Sequence, residues 1–133
     1  MGVMKQYVAG TWTEVMVGAQ GAQGAAGDWT TAQTTLTPTF TSNSYTIVAG
    51  DVGDLLLLSN GATAATVNIN TGLGFTAGQR IDCIQTGSGQ ITFAGTATIN
   101  GTPTLKLRAQ YSAASIICTG TNTYIVIGDM AAS

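Results

Sequence analysis

Arg80-Ile81-Asp82-Cys83-Ile84-Gln85-Thr86-Gly87-Ser88-Gly89-Gln90-Ile91-Thr92-Phe93 is the stretch on which the fold turns. Apolar and polar residues alternate on either side of a glycine-rich break. A period of two places successive side chains on opposite faces of a strand. Residues 80–85 and 90–93 therefore read as two strands, and the short break at 86–89 predicts a hairpin in which the second pairs back on the first.

The same period runs outward in both directions. Upstream, Tyr45-Thr46-Ile47-Val48 alternates, residues 49–54 carry turn chemistry, and Leu55-Leu56-Leu57-Leu58 is apolar on both faces. After a turn at Ser59-Asn60-Gly61, Thr66-Val67-Asn68-Ile69-Asn70 alternates again. Downstream come short runs at 97–100 and 115–119, a run at 105–111 whose odd positions are apolar, and 124–129 beyond the turn at Gly120-Thr121-Asn122. No stretch holds a helical period over two turns. The expectation is an all-β domain over 45–133, a small antiparallel β-sandwich or jelly roll of about nine or ten short strands. Leu57, Leu105, Leu107, Ile116, Cys118 and Val126 are expected in its core.

N-terminal to this domain the period changes to three. Gly18, Gly21, Gly24 and Gly27 fall at every third position, the phase of a collagen triple helix, whose axis has room only for hydrogen. This predicts a homotrimer with residues 18–29 as a stalk, about 30 Å long at ~3.1 Å per residue. The competing reading is a Gly/Ala linker, since the tract has no proline to pre-set polyproline angles. So short a triple helix cannot hold three chains together alone, and the flanking segments must contribute. Residues 1–17 form a strap with hydrophobic weight in Tyr7, Trp12, Val15 and Val17, too short to fold by itself. It is expected to anchor in a larger structure rather than to pack on its own trimer. Residues 30–44, rich in Thr and Ser around Pro38, read as an extended connector.

Charged residues make up 8% of the 133 and hydrophobic ones 44%. The usual charged share is about 25%, so little repulsion keeps copies apart and a permanent assembly suits the surface. A net charge of −2 with four basic residues supplies no patch for phosphates, so no nucleic-acid partner is expected. The N-terminus lacks the apolar core of a secretory signal and Leu55–Leu58 is too short to cross a bilayer, which predicts cytoplasmic synthesis without membrane insertion.

No histidine is present, so neither a Ser-His-Asp triad nor an imidazole metal site can be built. Asp51, Asp54, Asp82 and Asp129 are the candidates for acid–base work, but Asp51 and Asp54 stand beside glycine, where Asp side chains bond local backbone. The expectation is no catalysis, no cofactor and no metal. The glycines of 72–78 and 87–89 precede no helix, so they are not phosphate loops. Cys83 and Cys118 lie in apolar runs and are expected as reduced core thiols, with a disulfide feasible only between neighbouring strands. Arg80 with Asp82, and Lys106 with Arg108, each share a strand face. They form either a polar cluster at a subunit interface or a solvated face.

Three segments carry a family resemblance: RIDCIQTGSGQITFAG (80–95), LKLRAQYSAASI (105–116) and TNTYIVIGD (121–129). They resemble the C-terminal β-domain of virion proteins of tailed bacteriophages, especially collagen-like minor tail proteins of actinobacterial phages. KQYVAGTWTEVMVGAQGAQG (5–24) is similar to the openings of those proteins. The resemblance implies a trimeric, non-enzymatic virion protein of the tail, held by residues 1–17 to other virion proteins, with host-surface glycan a candidate contact for its β-domain. Relatives often carry many triplets with proline, so the short tract here implies a short stalk. The alternatives are a capsid decoration protein or short head fibre, and a carbohydrate-binding module drawing on Tyr45, Phe75, Phe93, Tyr111 or Tyr124.

Overall fold

The alternating residues do form strands, but the two halves of 80–93 do not pair with each other. A computed structural model of the chain describes residues 32–133. The strap residues Tyr7, Trp12, Val15 and Val17 and the triplet glycines Gly18, Gly21, Gly24 and Gly27 lie outside the described residues. The strands are β1 (Thr35–Leu36), β2 (Ser44–Thr46), β3 (Leu55–Leu58), β4 (Ala65–Asn68), β5 (Arg80–Gln85), β6 (Ile91–Ala94), β7 (Thr98–Gly101), β8 (Ala113–Gly120) and β9 (Thr123–Gly128).

One sheet has the order β1-β3-β5-β8-β9-β7 and the other β2-β4-β6. Through β6 the chain alternates between sheets, and each strand pairs in parallel with the strand one coil earlier: Leu55 with Asp82, Ala65 with Ile91. This is a short β-solenoid. The expected antiparallel sandwich or jelly roll is overturned, and the glycines at 86–89 explain why. A Cβ on Gly87 would lie 2.6 Å from Ser59 Oγ and 2.7 Å from the Gly61 carbonyl, and one on Gly89 would overlap the Thr63 backbone. Glycine stands here because stacked coils leave no room for a side chain. Neither residue has the positive φ of a hairpin turn.

After β6 the architecture changes. β8 pairs antiparallel with β5 and then with β9, closing the coil with a true hairpin whose turn residue Asn122 has φ 52°. The six-stranded sheet widens along the coil axis: β1 has two residues, β3 four, β5 six and β8 eight. The expected connector at 30–44 already holds β1 and the start of β2, and the compact unit runs Gln33–Ser133. The expected strand at 105–111 is absent: Lys106 and Leu107 make isolated bridges to Thr92 and Met130, and Tyr111 turns the chain at φ 72°.

The core lies between the sheets. Leu56, Leu58, Ile81, Ile116 and Val126 from the larger sheet form one cluster with Val67, Ile69, Ile91 and Phe93 from the smaller. Leu107, Ile116, Cys118 and Val126 are buried as expected, whereas Leu105 is half-buried and so is Leu57, which points outward from β3. Phe75 meets the buried Tyr124 edge-on at 6.0 Å, seating the loop before β5. Burial of each such large apolar side chain stabilises the fold by about 1.5–3 kcal/mol.

Candidate functional site

The registers decide which outward residues meet. In the larger sheet Thr35, Leu55, Asp82, Ser115 and Ile127 lie in one cross-strand row. Leu57, Ile84 and Ala113 form the next row, and Arg80, Ile117 and Ile125 another on the opposite side. Arg80, Asp82 and Ser115 are polar on this outer face, as are Thr35 at the β1 edge and Thr98, Asn100 and Thr123 at the β7 edge; between them the face is aliphatic. Ile125 is 38% exposed and Ile127 52%. The smaller sheet presents Ser44, Thr46, Thr66, Asn68, Thr92 and Ala94 outward, five of them polar. The two outer faces of one coil thus differ in chemistry.

A shallow depression of about 470 Å³ lies in the apolar face, lined by Leu55, Arg80, Asp82, Ile84, Ser115 and Ile127. Asp82 stands at its centre with both carboxylate oxygens engaged. Gln33 Nε2 donates to Oδ2 at 2.9 Å and Ser115 Oγ to Oδ1 at 2.6 Å, while Arg80 Nε lies 3.4 Å from Oδ1. An anion on an apolar surface is costly to cover unless it is paired, and this one is paired within its own chain.

The sequence left Arg80, Asp82, Lys106 and Arg108 as either a polar cluster at a subunit interface or a solvated face. Among the described residues they separate: Arg80 pairs with Asp82, Arg108 pairs with Asp129, and Lys106 joins neither. The Arg108 guanidinium forks onto Asp129, Nε to Oδ1 and Nη2 to Oδ2, both at 2.8 Å, and Ser112 Oγ donates to Oδ2 at 2.7 Å. The Arg108 hydrogen bond, aided by Ser112, holds the Asp129 carboxyl below the usual carboxylate range. This clip fastens the loop after β7 to the end of β9.

The other chemical candidates have structural partners. Asp51 is buried and its Oδ2 accepts from Tyr45 Oη at 2.8 Å and the Val48 amide at 3.0 Å, bracing the 3-10 turn at Ala49–Asp51. Burial, with the Asp51 hydrogen bond, pushes the Tyr45 phenol far above its ordinary range. Cys83 and Cys118 are free and buried. Register sets Cys83 against Ala114 and Cys118 against Tyr124, and burial pushes the Cys83 thiol up to about 12. Phe93 and Tyr124 are core residues, Tyr45 and Phe75 are half-buried, and Tyr111 is 73% exposed, so a sugar-stacking surface would rest on Tyr111. No group of metal-ligating side chains is present among the described residues.

The apolar face was not foreseen. Its signal was partly visible in Leu55–Leu58, apolar at every position, and in Tyr124-Ile125-Val126-Ile127. The pairing register was needed to bring these residues onto one surface. Comparison with protein families, with curated proteins and with solved structures gave no match to this chain.

Proposed function

We propose that this chain is a trimeric structural protein of a tailed-phage virion, of the minor tail or tail-fibre kind. In this reading residues 1–17 anchor on another virion protein, the Gly18–Gly27 triplets form a three-chain stalk, and the β-coil is the displayed head. The observation that carries it is the apolar outer face of the six-stranded sheet, downstream of a sequence with a three-chain period. The described residues of a single chain leave that face in water, and an assembly covers it. The protein performs no catalysis in this role. The low surface charge and the resemblance at 5–24 and 80–129 support the same reading.

A capsid decoration protein is the second reading, favoured by the shortness of the triplet tract, which suits a squat surface knob. Quantitative mass spectrometry of purified particles separates the two: a few trimers per particle for the tail, tens to hundreds of chains for the capsid surface. Absence of the chain from purified particles would refute both.

A further inference from the structure

We infer that the outer face of the six-stranded sheet is the surface through which three copies of this chain meet. The inference rests on the trimeric reading above and names the contact that makes it. Sheets covered on both sides read as near-continuous aliphatic runs, and sheets covered on one side alternate. The strands of the smaller sheet alternate, with Thr66, Asn68 and Thr92 facing water. The middle of the larger sheet carries aliphatic residues on both sides, with Leu55, Leu57, Ile84, Ile117, Ile125 and Ile127 outward among Arg80, Asp82 and Ser115 and with Thr35 and Asn100 toward its edges. A preference for β-formers alone would have marked both outer faces alike. The difference is the mark of a missing cover.

The chain outside the described residues points to what supplies it. Gly27 and Gln33 are close enough in sequence that the extended chain between them spans at most about 20 Å. Gln33 is itself hydrogen-bonded to Asp82 in the middle of the face. From β1 to β9 the sheet measures about 19 Å at roughly 4.8 Å per strand. A triplet tract that joins three chains so close in sequence to Gln33 brings the copies together at millimolar effective concentration. Asp82, ion-paired with Arg80 and hydrogen-bonded by Gln33 and Ser115 within its own chain, does not bar contact.

The test uses the full-length protein in sedimentation velocity across a micromolar concentration series, with circular dichroism as the check on folding. Ile127→Glu places a carboxylate on the face. Thr46→Glu, on the outer face of the smaller sheet, is the control. The wild-type chain and Thr46→Glu should sediment as trimers, and Ile127→Glu should be monomeric or need at least a tenfold higher concentration to associate. If Ile127→Glu does not fold, Ile127→Ala decides, with a shift in the same direction. Unchanged association of a folded Ile127 variant in a trimeric background overturns the inference and leaves the trimer standing. Dissociation on deleting residues 1–17, with a folded Ile127→Glu still trimeric, gives the contact to the strap and likewise overturns it. A monomeric wild-type chain overturns the trimeric reading itself.

Discussion

Gly89→Ala is the substitution that separates a solenoid from a hairpin. In a hairpin turn, an alanine in place of a left-handed glycine costs about 1–2 kcal/mol of backbone strain. Here the φ is ordinary and the obstacle is the Thr63 backbone, which an added methyl would overlap, far inside the ordinary 3.4–4 Å contact distance. A flexible side chain could swing aside, but a backbone cannot, so the coils must separate locally. Two hydrogen bonds between them stand next to the contact, Gly89 N to Gly61 O at 2.9 Å and Ala65 N to Gln90 O at 3.0 Å. Overpacking costs about 1–3 kcal/mol and each weakened hydrogen bond about 0.5–1.5 kcal/mol. The expected loss is therefore about 2–6 kcal/mol. Gly50→Ala is the control, because a Cβ there meets nothing within 4 Å. Its effect should be neutral to about 1 kcal/mol stabilising, through the unfolded chain. Urea unfolding at fixed protein concentration reads both as midpoint shifts at constant slope. A Gly89→Ala loss below about 2 kcal/mol, no larger than a strained turn would give, would refute the close-approach reasoning.

Leu107→Ala should cost about 2–5 kcal/mol, since the side chain is fully buried, and more than Leu57→Ala on the outer face; the same unfolding curves measure both. Asp129 has a lowered folded-state pKa, so its contribution is present above the unfolded carboxylate range and is lost as pH falls through the folded value; Asp129→Asn should flatten the acid limb of a pH–stability profile. Cys83 has a raised pKa, so stability is intact below the unfolded value and declines as pH rises from there toward about 12. A maleimide at pH 8 should label neither thiol in the native chain and both in denaturant; rapid native labelling of Cys83 would contradict its burial.

The β class was legible because alternation is a local property. Thr66–Asn70 and Arg80–Gln85 reveal strands within their own residues. The turn at Gly120–Asn122 was legible for the same reason, and the strands on either side of it pair as a hairpin. Parallel pairing was hidden, because the partner of Leu55 is Asp82 and nothing near either residue says so. Gly87 and Gly89 misled because glycine serves both for positive φ and for absent bulk, and a sequence does not say which. Leu57 shows the same limit at the site. Its four-leucine run announced two apolar faces, but which face looks outward depends on registers set by distant strands. Arg108 fell to Asp129 rather than to the Arg80 group because 105–111 bends instead of continuing as a strand.

The widening of the larger sheet from β1 to β8 bears on how copies behave when crowded. A solenoid that ends on a full-length strand offers its last rung as a template, and open strand edges drive end-to-end growth into filaments. Among the described residues the outermost rung is β1, two residues long, so an incoming strand gains few backbone bonds before it outruns its template. At the other extreme β7, four residues long, occupies the edge beyond β9. The taper limits growth along the coil axis. In the proposed trimer, association uses the flat face, where geometry can close a ring of defined number instead of extending without limit.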